Sequence, residues 1–250
     1  MKREPLFNIP PVIVTLLAVL ALVHAVRTYV LTEQQDIEFL LTFAFIPSRY
    51  DMSAVLGNVL PGGFGAEVWT FVTYAFIHAD WTHFGVNAVW LLPFGSAVAR
   101  RFGPLRFLLF FAVTAACGAA LHLATHAGED VPVIGASAAV SGTMAAAMRF
   151  AFQRGGPLSF HRSGDDADYR VPAIRLIAVM RDPRVIAFVV VWFGINILFG
   201  LGSVPMPGVG DNQVVAWQAH IGGFLAGLVL FSWFDPTPEE PRADDIATPQ

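Results

Sequence analysis

Six apolar segments, separated by charged residues or by Pro and Gly, are the feature that most constrains how this chain folds. An α-helix needs about 20 residues to cross the apolar core of a bilayer, and each segment is that long or nearly so. The pattern therefore predicts an all-α polytopic membrane protein with six spans. The predicted spans are 10–31, 82–99, 104–125, 133–152, 185–204 and 214–234.

The overall composition agrees with a membrane protein and excludes several other classes. Of the 250 residues, 55% are hydrophobic and 14% are charged, whereas a soluble domain has about 25% charged residues. A chain this apolar is not intrinsically disordered, and its single cysteine, Cys117, excludes a disulfide scaffold. A net charge of −4 offers no basic surface for nucleic acid.

The distribution of basic residues predicts the orientation. With the N-terminus in the cytoplasm, thirteen of the fifteen Lys and Arg residues lie on the inner side, and only Arg27 and Arg49 lie outside. Cytoplasmic loops are enriched in such residues, so both termini are expected in the cytoplasm, as in a bacterial inner membrane protein. A cleaved signal peptide ending near Val23-His24-Ala25 is the alternative for the first segment, but the apolar run continues to Leu31.

The segments between the spans predict a membrane domain over 1–235 and a disordered cytoplasmic tail over 236–250. Residues 32–67 mix acidic residues with apolar runs, which favours a structured first outer loop. The run 68–77 is too short to cross and is expected to belong to a re-entrant or interfacial loop. Residues 153–184 are interpreted as a solvated inner linker.

Polar residues inside three of the spans predict a functional site, because such groups are costly in a membrane. These spans all run from outside to inside, so their polar clusters share one depth near the outer face. Asp80 is expected to cap the second span, with His78 in the loop before it. The clustered residues are His83 and Asn87 in the second span, Ser137 and Ser141 in the fourth, and His220 in the sixth.

A serine beside a histidine is the minimal pair of nucleophile and general base. Gly223 and Gly227 give the sixth span a small-residue face that lets helix backbones approach closely. If it meets the fourth span, Ser137 or Ser141 comes within hydrogen-bond reach of His220. The spans contain no Asp or Glu near His220, so the sequence predicts a dyad.

An acyl-transfer reaction also needs donors for its oxyanion. His83 and Asn87 share one face of the second span and offer two, and the backbone N–H of Ser137 offers a third. Gly135 lets the chain approach closely before Ser137.

These residues resemble the motifs of the rhomboid family of intramembrane serine proteases, over roughly residues 10–235. The matching motifs are His78-x4-His83-x3-Asn87, Gly135-Ala-Ser137, and Ala219-His220-x2-Gly223-x3-Gly227. The resemblance implies a six-helix bundle with a structured first outer loop, a Ser137–His220 dyad, and an oxyanion site formed by His83 and Asn87. It implies cleavage of a transmembrane protein substrate in or beside its membrane span, with the bilayer as the only other partner and no cofactor or metal. The fifth span and the loop before the sixth would form the substrate gate.

The chain departs from the family pattern at three positions. Thr70 follows Trp69 where the family often has Arg, and Ala138 stands where Gly is common. Ser141 replaces a Tyr that often packs on the catalytic histidine, so another group must orient His220, for example a hydrogen bond from Ser141.

Two other functions are weighed against proteolysis. One is an inactive rhomboid-like protein that binds membrane clients, and the other is a small transporter with His83 and His220 as a proton relay. His122 and His126, spaced i and i+4, could bind a metal, but a hydrated interfacial pair is favoured. Snorkelling of long side chains explains His24 and Arg27.

Overall fold

A computed structural model describes residues 9–51, 60–159, 164–200 and 216–237. These residues form α-helices joined by short 3-10 and π turns and contain no β-strand, only an isolated bridge between Phe45 and Val133. The helices are α1 Pro11–Tyr29, α2 Glu33–Phe43, α3 Gly63–Thr73, α4 Trp81–Trp90, α5 Ser96–Phe102, α6 Pro104–Thr125, α7 Ser137–Met148, α8 Leu176–Val179, α9 Pro183–Gly200 and α10 Trp217–Phe234. Most of the predicted tail and the loop before α10 lie outside the described residues.

A helix occupies each of the six predicted segments. A π-helical turn, Leu91–Gly95, joins α4 to α5 across the second segment. Within the described residues, α1, α6 and α10 are long and apolar enough to span a membrane. The prediction for 133–152 is too long, because α7 has only 12 residues and the chain turns after Met148.

Glycines on α10 bring it into backbone contact with α6 and α7. A Cβ added to Gly223 would overlap the carbonyl oxygen of Ala138, and one added to Gly227 would overlap that of Gly142. On the neighbouring face, a Cβ on Gly222 would lie 2.7 Å from the carbonyl oxygen of Cys117 in α6. Small residues permit this close approach, so α6, α7 and α10 form the centre of the molecule.

Among the described residues after α1, 33–43 form α2 and the run 68–77 is helical. This run continues α3 and ends in the 3-10 turn Tyr74–Phe76. The Arg49 guanidinium is buried and donates to the carbonyls of Leu41 and Pro61. Thr70 donates to the Ala66 carbonyl at 2.6 Å, and Trp69 Nε1 donates to Thr42 at 3.1 Å. Arg49 therefore ties α2 to α3 although position 70 is Thr.

The described part of 153–184 is held to the helices at several points, so its interpretation as a solvated linker fits only its exposed positions. Arg101 Nη1 donates to the carbonyls of Tyr169 and Val171 at 2.9 and 2.8 Å. The remaining nitrogens of this guanidinium form a two-pronged pair with Asp235, in which both side chains are almost fully buried. The ring of Phe231 lies against the same guanidinium. One arginine thus holds this segment to the ends of α5 and α10.

Replacing Asp235 with Ala should destabilise the protein strongly, because it leaves the Arg101 charge buried without its carboxylate. Loss of one partner of a buried pair costs about 3–5 kcal/mol, and the thermal midpoint in detergent should fall accordingly. The matched control is Asp166→Ala, since Asp166 pairs with Arg100 while its own side chain is 83% exposed. An Asp235→Ala variant as stable as the control would contradict this account of Arg101.

Candidate active site

Ser137 is the first residue of α7, and Gly135 shapes the chain just before it. Gly135 has a φ of +119°, a conformation that L side chains rarely adopt. A Cβ on Gly135 would lie 2.7 Å from His83 Nε2 and 3.6 Å from Ser137 Oγ. The imidazole edge of His83 and the serine hydroxyl therefore both border a position that favours glycine.

The loop before α4 orients His83. Asp80 caps α4 by accepting from the His83 backbone N–H at 2.8 Å, as the sequence predicts. The Ala79 backbone N–H points at His83 Nδ1 at 3.4 Å. A nitrogen that accepts a hydrogen bond carries no hydrogen of its own, so the hydrogen of the neutral ring lies on Nε2. The edge of His83 that faces Gly135 and Ser137 is therefore a donor.

Asn87 lies one turn after His83 and is buried. Its Nδ2 donates to the His83 carbonyl at 2.9 Å, which uses one of the two amide hydrogens.

His78 lies beside His83 in the loop before α4, as predicted, and is completely buried. The two imidazole rings are in edge contact with their centroids 5.2 Å apart. Burial, and then the nearby His83, lower the pKa of His78 to about 3, so its ring is neutral at pH 7. Neither ring nitrogen has a hydrogen-bond partner among the described residues.

Side chains of α1 hold the backbone of His78. His24 Nδ1 is 3.2 Å from the His78 carbonyl, and Arg27 donates to the same carbonyl at 2.8 Å. Arg27 also forms a salt bridge with Asp36 at 2.7 Å. Snorkelling is therefore the wrong explanation for His24 and Arg27, because both are engaged in the loop that starts α4.

His220 lies one turn before Gly223, which packs against Ala138, the residue after Ser137. This contact places the N-terminal parts of α7 and α10 against each other. Among the described residues no hydrogen bond joins the Ser137 hydroxyl to His220. Catalytic hydrogen bonds are often long in ligand-free enzymes, so the absence of this bond does not argue against a dyad.

Asn196 in α9, and not Ser141, binds the imidazole of His220. The Ser141 hydroxyl donates instead to the Ser137 carbonyl at 2.7 Å, so the suggested bond from Ser141 to His220 is wrong. His220 Nδ1 hydrogen bonds to Asn196 Oδ1. The sequence signal for Asn196 is an amide inside an otherwise apolar span, the fifth, which lies outside the three spans that carry the predicted site.

His122 and His126 stack in parallel with their ring centroids 4.4 Å apart. His126 Nε2 lies 3.3 Å from the amide of Gln218. No group of three metal-binding side chains occurs among the described residues.

These features define a helical membrane protein in which Ser137, at the start of α7, lies near the imidazole edge of His83. A family model, the Rhomboid domain, matches residues 65–234. The chain therefore belongs to the rhomboid family, whose members typically are intramembrane serine proteases acting on membrane proteins. A search of the curated proteins found no match.

Replacing Gly223 with Ala should push α10 away from α7, because the new methyl group meets backbone that cannot rotate aside. Overpacking of this kind costs about 1–3 kcal/mol, and the thermal midpoint in detergent should fall. Gly85→Ala is the matched control, since a Cβ there meets nothing within 4 Å and alanine favours the helix. Equal midpoints for the two variants would show that the α7–α10 contact tolerates a side chain.

Proposed function

We propose that this protein is a serine endopeptidase that hydrolyses a peptide bond in or beside the transmembrane segment of a protein substrate. The observation that carries the proposal is the meeting of Ser137, at the start of α7, with the donor edge of His83 around Gly135. Family membership supports the same reaction class. An inactive protein that binds membrane clients is the alternative, and the presence of both Ser137 and His220 argues against it.

In the proposed mechanism, His220 Nε2 takes the hydroxyl proton of Ser137 as Oγ attacks the scissile carbonyl carbon. The carbonyl π electrons move to the oxygen and form a tetrahedral oxyanion. When the C–N bond breaks, His220 returns the proton to the leaving amine, and an acyl-enzyme ester remains. Water then attacks the ester with His220 as base again, which releases the acid product and restores Ser137.

The oxyanion is proposed to bind three donors that are oriented before substrate arrives. His83 offers its Nε2–H, and Asn87 offers the amide hydrogen that the His83 carbonyl does not use. The Ser137 backbone N–H belongs to the first turn of α7, where helical N–H groups lack a partner within the helix. His78, Gly135, Ser141, Gly223 and Gly227 are proposed to support this arrangement. Donors fixed in advance stabilise the transition state without a reorganisation cost.

The proposed membrane arrangement has six spans within a domain over 1–235, a structured first outer loop and both termini in the cytoplasm, in a bacterial inner membrane. Large apolar side chains on the molecular surface support this, including Phe64 on α3, Val190 on α9 and Trp233 on α10. A bilayer would remove these side chains from water. Residues 236–250 are proposed to form a disordered cytoplasmic tail.

Substitution of either dyad residue should abolish proteolysis without unfolding the protein. Ser137→Ala and His220→Ala, purified in detergent, are expected to leave a transmembrane substrate with a small residue near its outer end intact. Cleavage is measured by gel analysis of the products, and folding by the thermal midpoint.

Asn87→Ala serves as the graded variant in the same assay. It removes one of three donors, and a single oxyanion donor is worth about 10²–10³ in rate, so slow cleavage should persist. Full activity of Ser137→Ala would rule out the proposed nucleophile. A wild-type chain inert on a panel of substrates and unreactive to a fluorophosphonate would favour the client-binding alternative.

Single-cysteine labelling should report the proposed orientation. In a Cys117→Ala background, a membrane-impermeant maleimide added to spheroplasts is expected to label Asp130→Cys and not Arg154→Cys. Both positions are exposed, and they lie at opposite ends of α7. Labelling of Arg154→Cys alone would reverse the orientation.

A further inference from the structure

We propose that Asn196 is a positioning residue, which holds His220 in the one neutral tautomer that can act as the general base. The inference rests on the proposed function, since it assigns His220 to that role. It adds a third side chain, from a third helix, to the predicted dyad.

The hydrogen bonds of Asn196 fix which of its amide atoms faces His220. Nδ2 donates to the Trp192 carbonyl at 2.8 Å, so rotating the amide by 180° would place two oxygens against each other. The atom that faces His220 Nδ1 is therefore Oδ1. A carbonyl oxygen only accepts hydrogen bonds, so His220 Nδ1 must carry the hydrogen.

A neutral imidazole with its hydrogen on Nδ1 has its lone pair on Nε2. This is the nitrogen required to remove the proton of Ser137. The other tautomer would present an N–H to the serine hydroxyl and could not accept its proton. Asn196 thus selects the reactive form of His220 through one hydrogen bond.

A backbone hydrogen bond holds His83 in the opposite tautomer. Its Nδ1 faces the Ala79 backbone N–H, so its hydrogen lies on Nε2. The two histidines of the site are therefore assigned as one donor and one acceptor by their neighbours. Ser141 takes no part in this selection, because its hydroxyl is bonded to the Ser137 carbonyl.

The packing of α9 keeps Asn196 in place. Asn196 is 7% exposed, and it is the one amide in a stretch of otherwise apolar residues, 185–198. One turn away, Trp192 stacks on Phe224 with ring centroids 4.7 Å apart. Because α9 and α10 run antiparallel, the Trp192–Phe224 and Asn196–His220 pairs form successive steps of one interface. A buried amide without partners is costly, so His220 and Asn196 stabilise each other in this register.

The test compares two variants of Asn196 that differ in whether they keep an acceptor. Asn196→Leu preserves the approximate volume and removes the acceptor. Its kcat should fall by about 10- to 100-fold, because it loses part of the rate enhancement that general base catalysis supplies. Its KM should change little. Asn196→Asp retains an oxygen that accepts from Nδ1–H but loses the donor to the Trp192 carbonyl, so its kcat should fall less than that of Asn196→Leu. Ile195→Leu, at an exposed neighbouring position, is the control.

Equal losses of kcat in Asn196→Leu and Asn196→Asp would overturn the inference, as would an unchanged kcat in Asn196→Leu. If Asn196 had a purely structural role, both variants would have a lower thermal midpoint, and Asn196→Asp would retain no more kcat than Asn196→Leu.

A spectroscopic measurement tests the tautomer directly and does not require Asn196→Leu to fold. ¹⁵N NMR of histidine-labelled protein in detergent, with the His220 signals assigned by their loss in His220→Gln, should show a protonated Nδ1 and an unprotonated Nε2. The opposite pattern would overturn the inference even if the enzyme is active. If His220 shows the expected tautomer but the protein has no proteolytic activity, the contact between Asn196 and His220 is supported and the proposed function is refuted.

Discussion

The close contact of α10 with α7 is the constraint on which the rest of the structure depends. At Gly223 and Gly227 the backbone of α10 touches carbonyl groups of α7, with no room for a single methyl group. In a bilayer, apolar side chains gain little by leaving lipid, so helices associate through packing of this kind. The same contact fixes the register of the two helices, on which the proposed pairing of His220 with Ser137 depends. Stability and the candidate chemistry therefore rest on the same two glycines.

Around that contact, the side chains of the site are held by groups from other helices. The Asp80 cap and the Ala79 N–H orient His83. From α1, the side chains of His24 and Arg27 hydrogen bond to the carbonyl of His78. At the opposite end of the bundle, the buried guanidinium of Arg101 binds two carbonyls and Asp235. Charged groups are costly in such surroundings unless they are fully paired. Here they join backbone segments that are far apart in the chain.

The sequence predicts those parts of the fold that repeat locally. The apolar segments, the cap at Asp80 and the small face of α10 follow from spacing along a helix. The same spacing predicts the gathering of Ser137, His83 and His220. Contacts between distant segments do not follow from spacing. No periodic pattern in the sequence indicates the partners of Arg101 or the hydrogen bonds from α1 to the His78 carbonyl. The short length of α7 is set by the turns at its ends. Asn196 was visible as a polar residue in an apolar span, but its partner depends on the register of α9 against α10.

Under the proposed function, Asn196 directs the base at a site where the described residues place no carboxylate against His220. A carboxylate beside His220 would favour the charged imidazolium, at the cost of burying an ion deep among apolar helices. A neutral amide offers the same acceptor geometry without that charge, and its own donor is satisfied within α9 by the Trp192 carbonyl. The selection of the tautomer is then coupled to the docking of α9, because the amide and the imidazole belong to different helices. A displacement of α9 would release His220 Nδ1 while Ser137 and His83, which α4 and α7 position, stayed in place.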